Sequence, residues 1–191
     1  MTLYDLIISR RTIREFLDTP VTRASLEKYV NAGRLAPQAA NRQPLEFIVV
    51  DDWAVCNKIF PQIKLAGSLE WKPSADRQPR AYIAIIVKSG VQKPFWVPYD
   101  VALASENISL AAWEEGVGSC FIGAFNKKEI EGLLELPDGY DVDLLVAFGH
   151  PANRSVAEDM KGEDVQYRRD ADGTFHVPKR PLKSILHFNK F

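Results

Sequence analysis

Ala81-Tyr82-Ile83-Ala84-Ile85-Ile86-Val87 is a short unbroken apolar run rich in β-branched side chains. A strand wetted on one face alternates polar and apolar residues, so a run without alternation predicts a strand covered on both faces. Phe47-Ile48-Val49-Val50 reads the same way, and both are expected to be central strands. Between them, Trp53 to Phe60 fits a helix, whereas Gly67 to Arg80, with two prolines and mixed charges, reads as an irregular excursion over a site or interface. Beyond them, Tyr99 to Gly116 carries the longest helical signal. Val101, Leu103, Ala104, Ile108, Ala111 and Ala112 make it apolar almost all round, so it is expected to be buried, with a subunit interface as one form of cover.

The remaining elements extend this alternation. Thr2 can cap a first helix with Asp5 at its third position, placing Leu3, Leu6 and Ile7 on one face. Thr22 or a neighbour starts a second helix whose Leu26, Tyr29, Val30 and Leu35 can face a core, with Pro37 as its stop. Ser119 to Gly123 is a short strand or extended turn, and Asn126 with Glu129 caps a helix ending near Leu136. Asp143 to Phe148 is expected to be the last strand, closed by Gly149-His150-Pro151. The order argues for an α/β or α+β sandwich with a mixed sheet between helical layers. From Ala152 onward the chain is polar and charged up to a short helix near Leu182 to His187. Residues 152–191 therefore read as an extension of one domain whose core is 1–151.

A chain of 191 residues with 46% hydrophobic content can bury a core. Its 24 basic and 25 acidic residues nearly cancel, so no global field favours nucleic acid or an anionic membrane, and any anion site must be local. The N-terminus lacks the pattern of a secretory signal, and no apolar run reaches the roughly 18 residues of a span, so a soluble cytoplasmic protein is expected. Cys56 and Cys120 have no CxxC spacing, and His150, His176 and His187 form no ligand set, so neither a disulfide nor a metal site is expected.

Two segments remain that structure alone does not explain. Arg10-Arg11-Thr12-Ile13-Arg14 offers three guanidinium groups and a hydroxyl within five residues, which suits a phosphate. Ala36-Pro37-Gln38-Ala39-Ala40-Asn41-Arg42-Gln43-Pro44 offers amides on a proline-bounded loop, which suits the polar edge of a heterocycle. Each has a plain alternative: cations complement the C-terminal end of a helix, and Asn tolerates left-handed turn geometry. No dinucleotide fingerprint, GxxxxGK[ST] or GxSxG is present, and Cys120 in an apolar run reads as a small core residue.

The two segments occur in order with further pieces that together resemble the nitroreductase family of FMN-dependent oxidoreductases. These are Ser9 to Phe16 followed by Asp18-Thr19-Pro20-Val21, the Ala36–Pro44 loop, Phe47–Val50, Asp100 with Ala102, and Glu106-Asn107. Ala111 to Gly118 and Phe148-Gly149-His150-Pro151 complete the set, which resumes at Pro178 to His187. Gln38 stands where Ser is common, Leu45 where Trp is frequent, and Thr12 replaces Ser while keeping the hydroxyl.

The resemblance implies an α+β three-layer sandwich, a mixed central sheet flanked by helices, and an intertwined homodimer with FMN at its interface. By that resemblance Arg10, Arg11 and Thr12 hold the phosphate and ribityl end, and Arg14 lies near the pyrimidine edge of the flavin. Pro37, Gln38, Ala39 and Asn41, with Gln43 beside them, come from the partner chain. Ile122, Gly123 and Ala124 bring backbone to the ring system, and Lys179 and Arg180 match a C-terminal basic position that reaches the phosphate, with Arg154, Arg168 and Arg169 as alternatives. The implied function is ping-pong transfer of reducing equivalents from NAD(P)H through FMN to an acceptor such as a nitroaromatic or quinone, with no catalytic side chain required. Two alternatives stand beside it: an FMN carrier or sensor without steady turnover, and specialised flavin chemistry such as dehalogenation or flavin cleavage. Specificity for the latter would reside in 67–80 and 153–177.

Overall fold

The computed structural model describes residues 1–67 and 69–191; Ser68, within the predicted excursion, lies outside the described residues. Helices α1 (Leu3–Ser9), α2 (Arg23–Arg34), α3 (Trp53–Ile59), α4 (Val97–Glu114) and α5 (Lys127–Leu133) alternate with strands β1 (Leu45–Val50), β2 (Ala81–Lys88), β3 (Gly118–Ile122) and β4 (Tyr140–Gly149). The capping box that starts α1 is present, with Thr2 Oγ1 accepting from the Asp5 amide at 3.1 Å and the Asp5 carboxylate accepting from the Thr2 amide at 3.0 Å. Thr22 caps α2 through the Ser25 amide in the same way.

The four strands form one sheet in the order β1-β2-β4-β3, each neighbouring pair antiparallel, and a parallel bridge between Thr12 and Ser119 adds a mixed element at its β3 edge. Period-two geometry sends Ile83 and Ile85 to one side of β2 and Tyr82, Ala84 and Ile86 to the other. The first side meets Leu26 and Tyr29 of α2 and Ala104, Ile108 and Ala112 of α4. The second meets Cys56 and Ile59 of α3 and Ile130 of α5. This is an α+β sandwich of three layers, and among the described residues no helix is long and apolar enough to cross a membrane.

Four expectations need correction. Among the described residues β1 pairs only with β2, which puts it at the edge of the sheet. An unbroken apolar run reports two covered faces, not two hydrogen-bonded edges, and the sequence cannot separate them. Leu35 is exposed, because two residues past Gly33 it lies about 200° around the helix from the buried Leu26–Tyr29–Gly33 stripe. The Asn126 side chain makes no capping hydrogen bond among the described residues, and α5 stops at Leu133. Finally, β4 is not the last strand. β5 (Ser155–Asp159), β6 (Arg168–Arg169) and β7 (Phe175–Lys179) form a second sheet in the order β5-β7-β6, hidden in sequence because its strands are short and polar.

Two glycines decide how the N-terminal segment meets the main sheet. Gly118 and Gly149 face each other across β3 and β4. A Cβ on Gly118 would lie 2.6 Å from the Ile13 side chain, and one on Gly149 would lie 2.7 Å from the Phe16 ring. Residues 12–16 therefore run along a trough that only glycine leaves open.

The small sheet is held by a charged bridge. His176 on β7 contacts Glu158 on β5 through Nδ1 at 3.1 Å and Asp170 beyond β6 through Nε2 at 2.9 Å, and Arg168 pairs with the same Glu158. Hydrogen bonds to Asp170 and Glu158 raise the His176 pKa. Both carboxylates are lowered to about 2, Glu158 first by Arg168 and then by His176, Asp170 by His176 and then Asp172. A raised His pKa contributes stability that is complete below the unfolded value and is lost as pH rises through the folded one. The depressed carboxylates contribute above their unfolded values and lose that contribution as pH falls toward 2. The small sheet is therefore expected to be tightest in mildly acidic solution and to loosen on the alkaline side of the ordinary His range. Amide exchange of β7 followed against pH should show this loosening in the native chain and none in His176→Gln; identical profiles for the two would contradict it.

Candidate functional site

Arg10 follows α1 directly, and its Nε donates to Glu106 on α4 at 3.2 Å. Arg11 donates from Nη1 to the Arg10 carbonyl at 2.6 Å. Burial holds the Arg11 guanidinium below its ordinary pKa, and the neighbouring Arg10 charge adds to this. Of the two cations only Arg10 pairs with a carboxylate among the described residues, leaving a local excess of positive charge in a chain of near-zero net charge. Thr12 is fixed by its bridge to Ser119, and the Ile13 amide donates to the Ser119 carbonyl at 2.9 Å.

Arg14 is 9% exposed. Its Nε donates to the Leu65 carbonyl at 2.7 Å, while Nη1 is buried and has no partner among the described residues. Asn153 Oδ1 accepts from the backbone amides of Arg14 and Glu15, at 3.3 and 3.0 Å, and so pins the turn that presents the side chain.

Leu65 links Arg14 to the end of β3. The Lys64 amide donates to the Ala124 carbonyl at 2.9 Å, and Ile63 bridges Phe125. Ile122 is buried, whereas Gly123 and Ala124 are exposed, and a Cβ on Gly123 would meet nothing within 4 Å. A cleft of about 550 Å³ lined by Leu65, Ala66, Gly67, Leu69 and Trp71 opens beside them. Cys120 points its thiol toward the Leu65 carbonyl, and burial raises its pKa to about 11, so this sulfur is a protonated core group.

The amide loop sits elsewhere. The Ala39 amide donates to Asp100 Oδ1 at 2.7 Å, the Gln92 side chain donates to the Ala39 carbonyl at 2.9 Å, and Gln92 also reaches Asp100 at 3.2 Å. Ala40, Asn41 and Gln43 all have positive φ, near 50°. Non-glycine residues in that region cost about 1 kcal/mol or more each and persist where surrounding contacts over-determine them. Here the contacts are Asp100 and Gln92. The loop turns the side chains of Pro37, Asn41 and Gln43 outward, while Gln38 Oε1 is buried without a partner among the described residues.

Within one chain, the fold therefore ties Thr12 to Ser119 on β3 and Arg14 to Leu65, whose neighbour Lys64 bonds Ala124 just beyond β3, while Arg10 is tied to Glu106 on α4. Among the described residues, no hydrogen bond ties Pro37–Gln43 to them. Lys179 and Arg180 also stand apart, with Lys179 exposed at the end of β7 and Arg180 bonded to the Ser184 carbonyl at 3.1 Å. The C-terminal cation joined to the arginine run is Arg169, which reaches Glu15 at 3.2 Å. Sequence reasoning gave no role to the Leu65 carbonyl, Trp71 or Phe175, and nothing local marks them. Asp100, a buried carboxylate in the first turn of α4, could have been found as the anchor of the amide loop.

The model of the nitroreductase family matches residues 7–150. An Archaeoglobus fulgidus relative named for NADH dehydrogenase and NAD(P)H nitroreductase is 33% identical over 155 residues, covering 76% of this chain and 83% of its own. An FMN reductase [NAD(P)H] of Bacillus subtilis is 30% identical over 209 residues, covering 96% and 82%. The solved FMN-dependent nitroreductase of Clostridium difficile R20291 superposes with a TM-score of 0.70 at 26% identity, over 99% of this chain and all of that one.

Proposed function

The chain belongs to the nitroreductase family, and from that premise we propose that it transfers reducing equivalents from NAD(P)H through FMN to a flat acceptor, a nitroaromatic or a quinone, in ping-pong order. It is an FMN-dependent NAD(P)H oxidoreductase. The buried, unpartnered Nη1 of Arg14 carries this reading: a desolvated cationic donor, fixed on the Leu65 carbonyl next to the Lys64–Ala124 hydrogen bond, calls for an acceptor that the described residues do not supply. The Arg10–Arg11 pair fits the phosphate of the same ligand, so the residues present suit FMN.

FMN, when bound, would supply the redox chemistry that links the nicotinamide to the acceptor. The protein binds and orients. Arg10, Arg11 and Thr12 hold the phosphate and ribityl chain. Arg14 holds a positive charge toward the pyrimidine edge, and the Ile122–Ala124 backbone offers its amides. Lys179 and Arg180, which stand apart from the arginine run of their own chain, reach the phosphate of the second protomer's site. No side-chain acid or base is assigned a catalytic step.

Pro37, Gln38, Ala39, Asn41 and Gln43 serve the site of a second protomer, a reading supported by the exposure of Pro37, Asn41 and Gln43. The intertwined homodimer this requires is supported by apolar side chains left uncovered on three elements: Leu3 and Ile7 on α1, Tyr99 and Leu103 on α4, Leu186 and Phe188 in the tail. Residues 1–151 form the flavin-binding core in this reading, and 152–191 complete it and wrap the partner. The protein then works in the cytoplasm, where pyridine nucleotides turn over and buried thiols such as Cys56 and Cys120 stay reduced.

The visible absorbance spectrum, taken before and after anaerobic NADH or NADPH, tests the proposal. Flavin bands that bleach are expected. A protein that takes up no FMN on reconstitution would overturn it, and a stable monomer holding stoichiometric flavin would overturn the shared site.

A further inference from the structure

Arg14 is held from a direction that the flavin reading does not require. Its guanidinium carbon lies 4.6 Å from the centre of the Tyr167 ring and 5.1 Å from that of Phe175. Both rings belong to the 152–191 region, far along the chain. Phe175 is fully buried, with the Trp71 ring against it at 5.2 Å and 71°. Arg169 lies 5.2 Å over Trp71 and pairs with Glu15, the neighbour of Arg14. The small sheet thus reaches the arginine run through ring contacts on Arg14 and an ion pair beside it.

Arginine has four flexible side-chain torsions, and a ligand that must order them binds more weakly than one meeting a fixed group. Here the ordering is done in advance. The Leu65 carbonyl fixes Nε, two aromatic faces fix the guanidinium plane, and Nη1 is the buried donor left open. Resting on the flavin reading above, we propose that Tyr167 and Phe175 are positioning residues for Arg14: they hold its guanidinium as a preset, desolvated cation for the cofactor, and couple the C-terminal sheet to the electronic state of the flavin. A fixed cation strengthens binding of the negatively charged reduced cofactor more than that of the oxidised one. The rings therefore act on the relative affinity of the two states.

The test uses full-length protein carrying Tyr167→Leu, Tyr167→Phe or Phe175→Leu, with Arg14→Lys as reference. Two readouts are taken: the solvent exchange of the Arg14 Nε–H by NMR in FMN-free protein, and the midpoint potential of bound FMN. Tyr167→Leu is expected to speed the exchange about tenfold. It should also weaken reduced relative to oxidised FMN about tenfold, which is about 30 mV lower for a two-electron couple. Tyr167→Phe, which keeps the ring, should match the native protein in both. Loss of packing alone would lower the melting temperature of Tyr167→Leu and Tyr167→Phe in step with any change in potential, and that pattern overturns the proposal. Unchanged exchange and potential in Tyr167→Leu also overturns it. Should Phe175→Leu fail to fold, the Tyr167 pair decides. If Arg14→Lys leaves FMN affinity and potential untouched, the flavin reading at Arg14 has failed, and the exchange readout still judges the positioning.

Discussion

Replacing Arg10 and Arg11 together with alanine is expected to weaken FMN binding roughly 10²- to 10⁴-fold while changing riboflavin binding only a few-fold. A hydrogen bond to a charged group contributes about 1.5–3 kcal/mol, so two of them amount to about 3–6 kcal/mol, at about 1.4 kcal/mol per tenfold. The flavins differ only in the phosphate, so the comparison isolates the arginines. Arg11 is partly desolvated beside a like charge, and Glu106 on Arg10 is the one carboxylate paired with them among the described residues. Without the anion this arrangement is mildly unfavourable, so the double variant should keep its melting temperature. Titration of flavin-free protein with each ligand gives the answer. Equal loss for both flavins would make the arginines structural, and no loss for either would move the phosphate to another cation, with Arg169, Lys179 and Arg180 the next to replace.

Gly118→Ala and Gly149→Ala are each expected to cost about 1–3 kcal/mol, the usual penalty for overfilling a packed site, and to lower the melting temperature by about 2–4 °C per kcal/mol for a chain of this size. The added methyl groups would stand 2.6 Å from Ile13 and 2.7 Å from Phe16. Neither neighbour can yield easily, since Ile13 is tied through its amide to Ser119 and Phe16 through its amide to the Arg77 carbonyl. The segment must lift off the trough, carrying Thr12 and Arg14 with it. A fall in FMN affinity of about tenfold or more should therefore accompany the loss of stability. Because the two glycines face each other across β3 and β4, the double variant should deviate from the sum of the singles. Unchanged melting and unchanged FMN affinity in Gly118→Ala would show that the trough has slack.

Local signals in the sequence read out well. The Thr2–Asp5 capping box, the Thr22 cap and the covered run of β2 each depend on residues a few positions apart, and each is present. The arginine run and the amide loop were legible for the same reason: their chemistry lies within consecutive residues. Pairing was not legible. Phe47–Val50 reads like β2 but occupies an edge, since side chains report which faces are covered and backbone groups report nothing in sequence. The polar Ser155–Asp159 and Arg168–Arg169 strands gave no periodic signal, because they are held by backbone pairing with β7 and by charges on Glu158, Arg168, Asp170 and His176.

The residue types alone determined that this chain holds three guanidinium groups within five residues, at 10, 11 and 14, and an alternation of helices and strands to carry them. Only the tertiary structure decided which of those guanidinium groups is buried, that Leu65, Tyr167 and Phe175 converge on Arg14, and that Arg169 rather than Lys179 or Arg180 is the C-terminal cation tied to the run. The reason is physical. Charge and polarity belong to each residue wherever it sits, whereas desolvation and contact depend on segments more than a hundred positions apart meeting around one side chain.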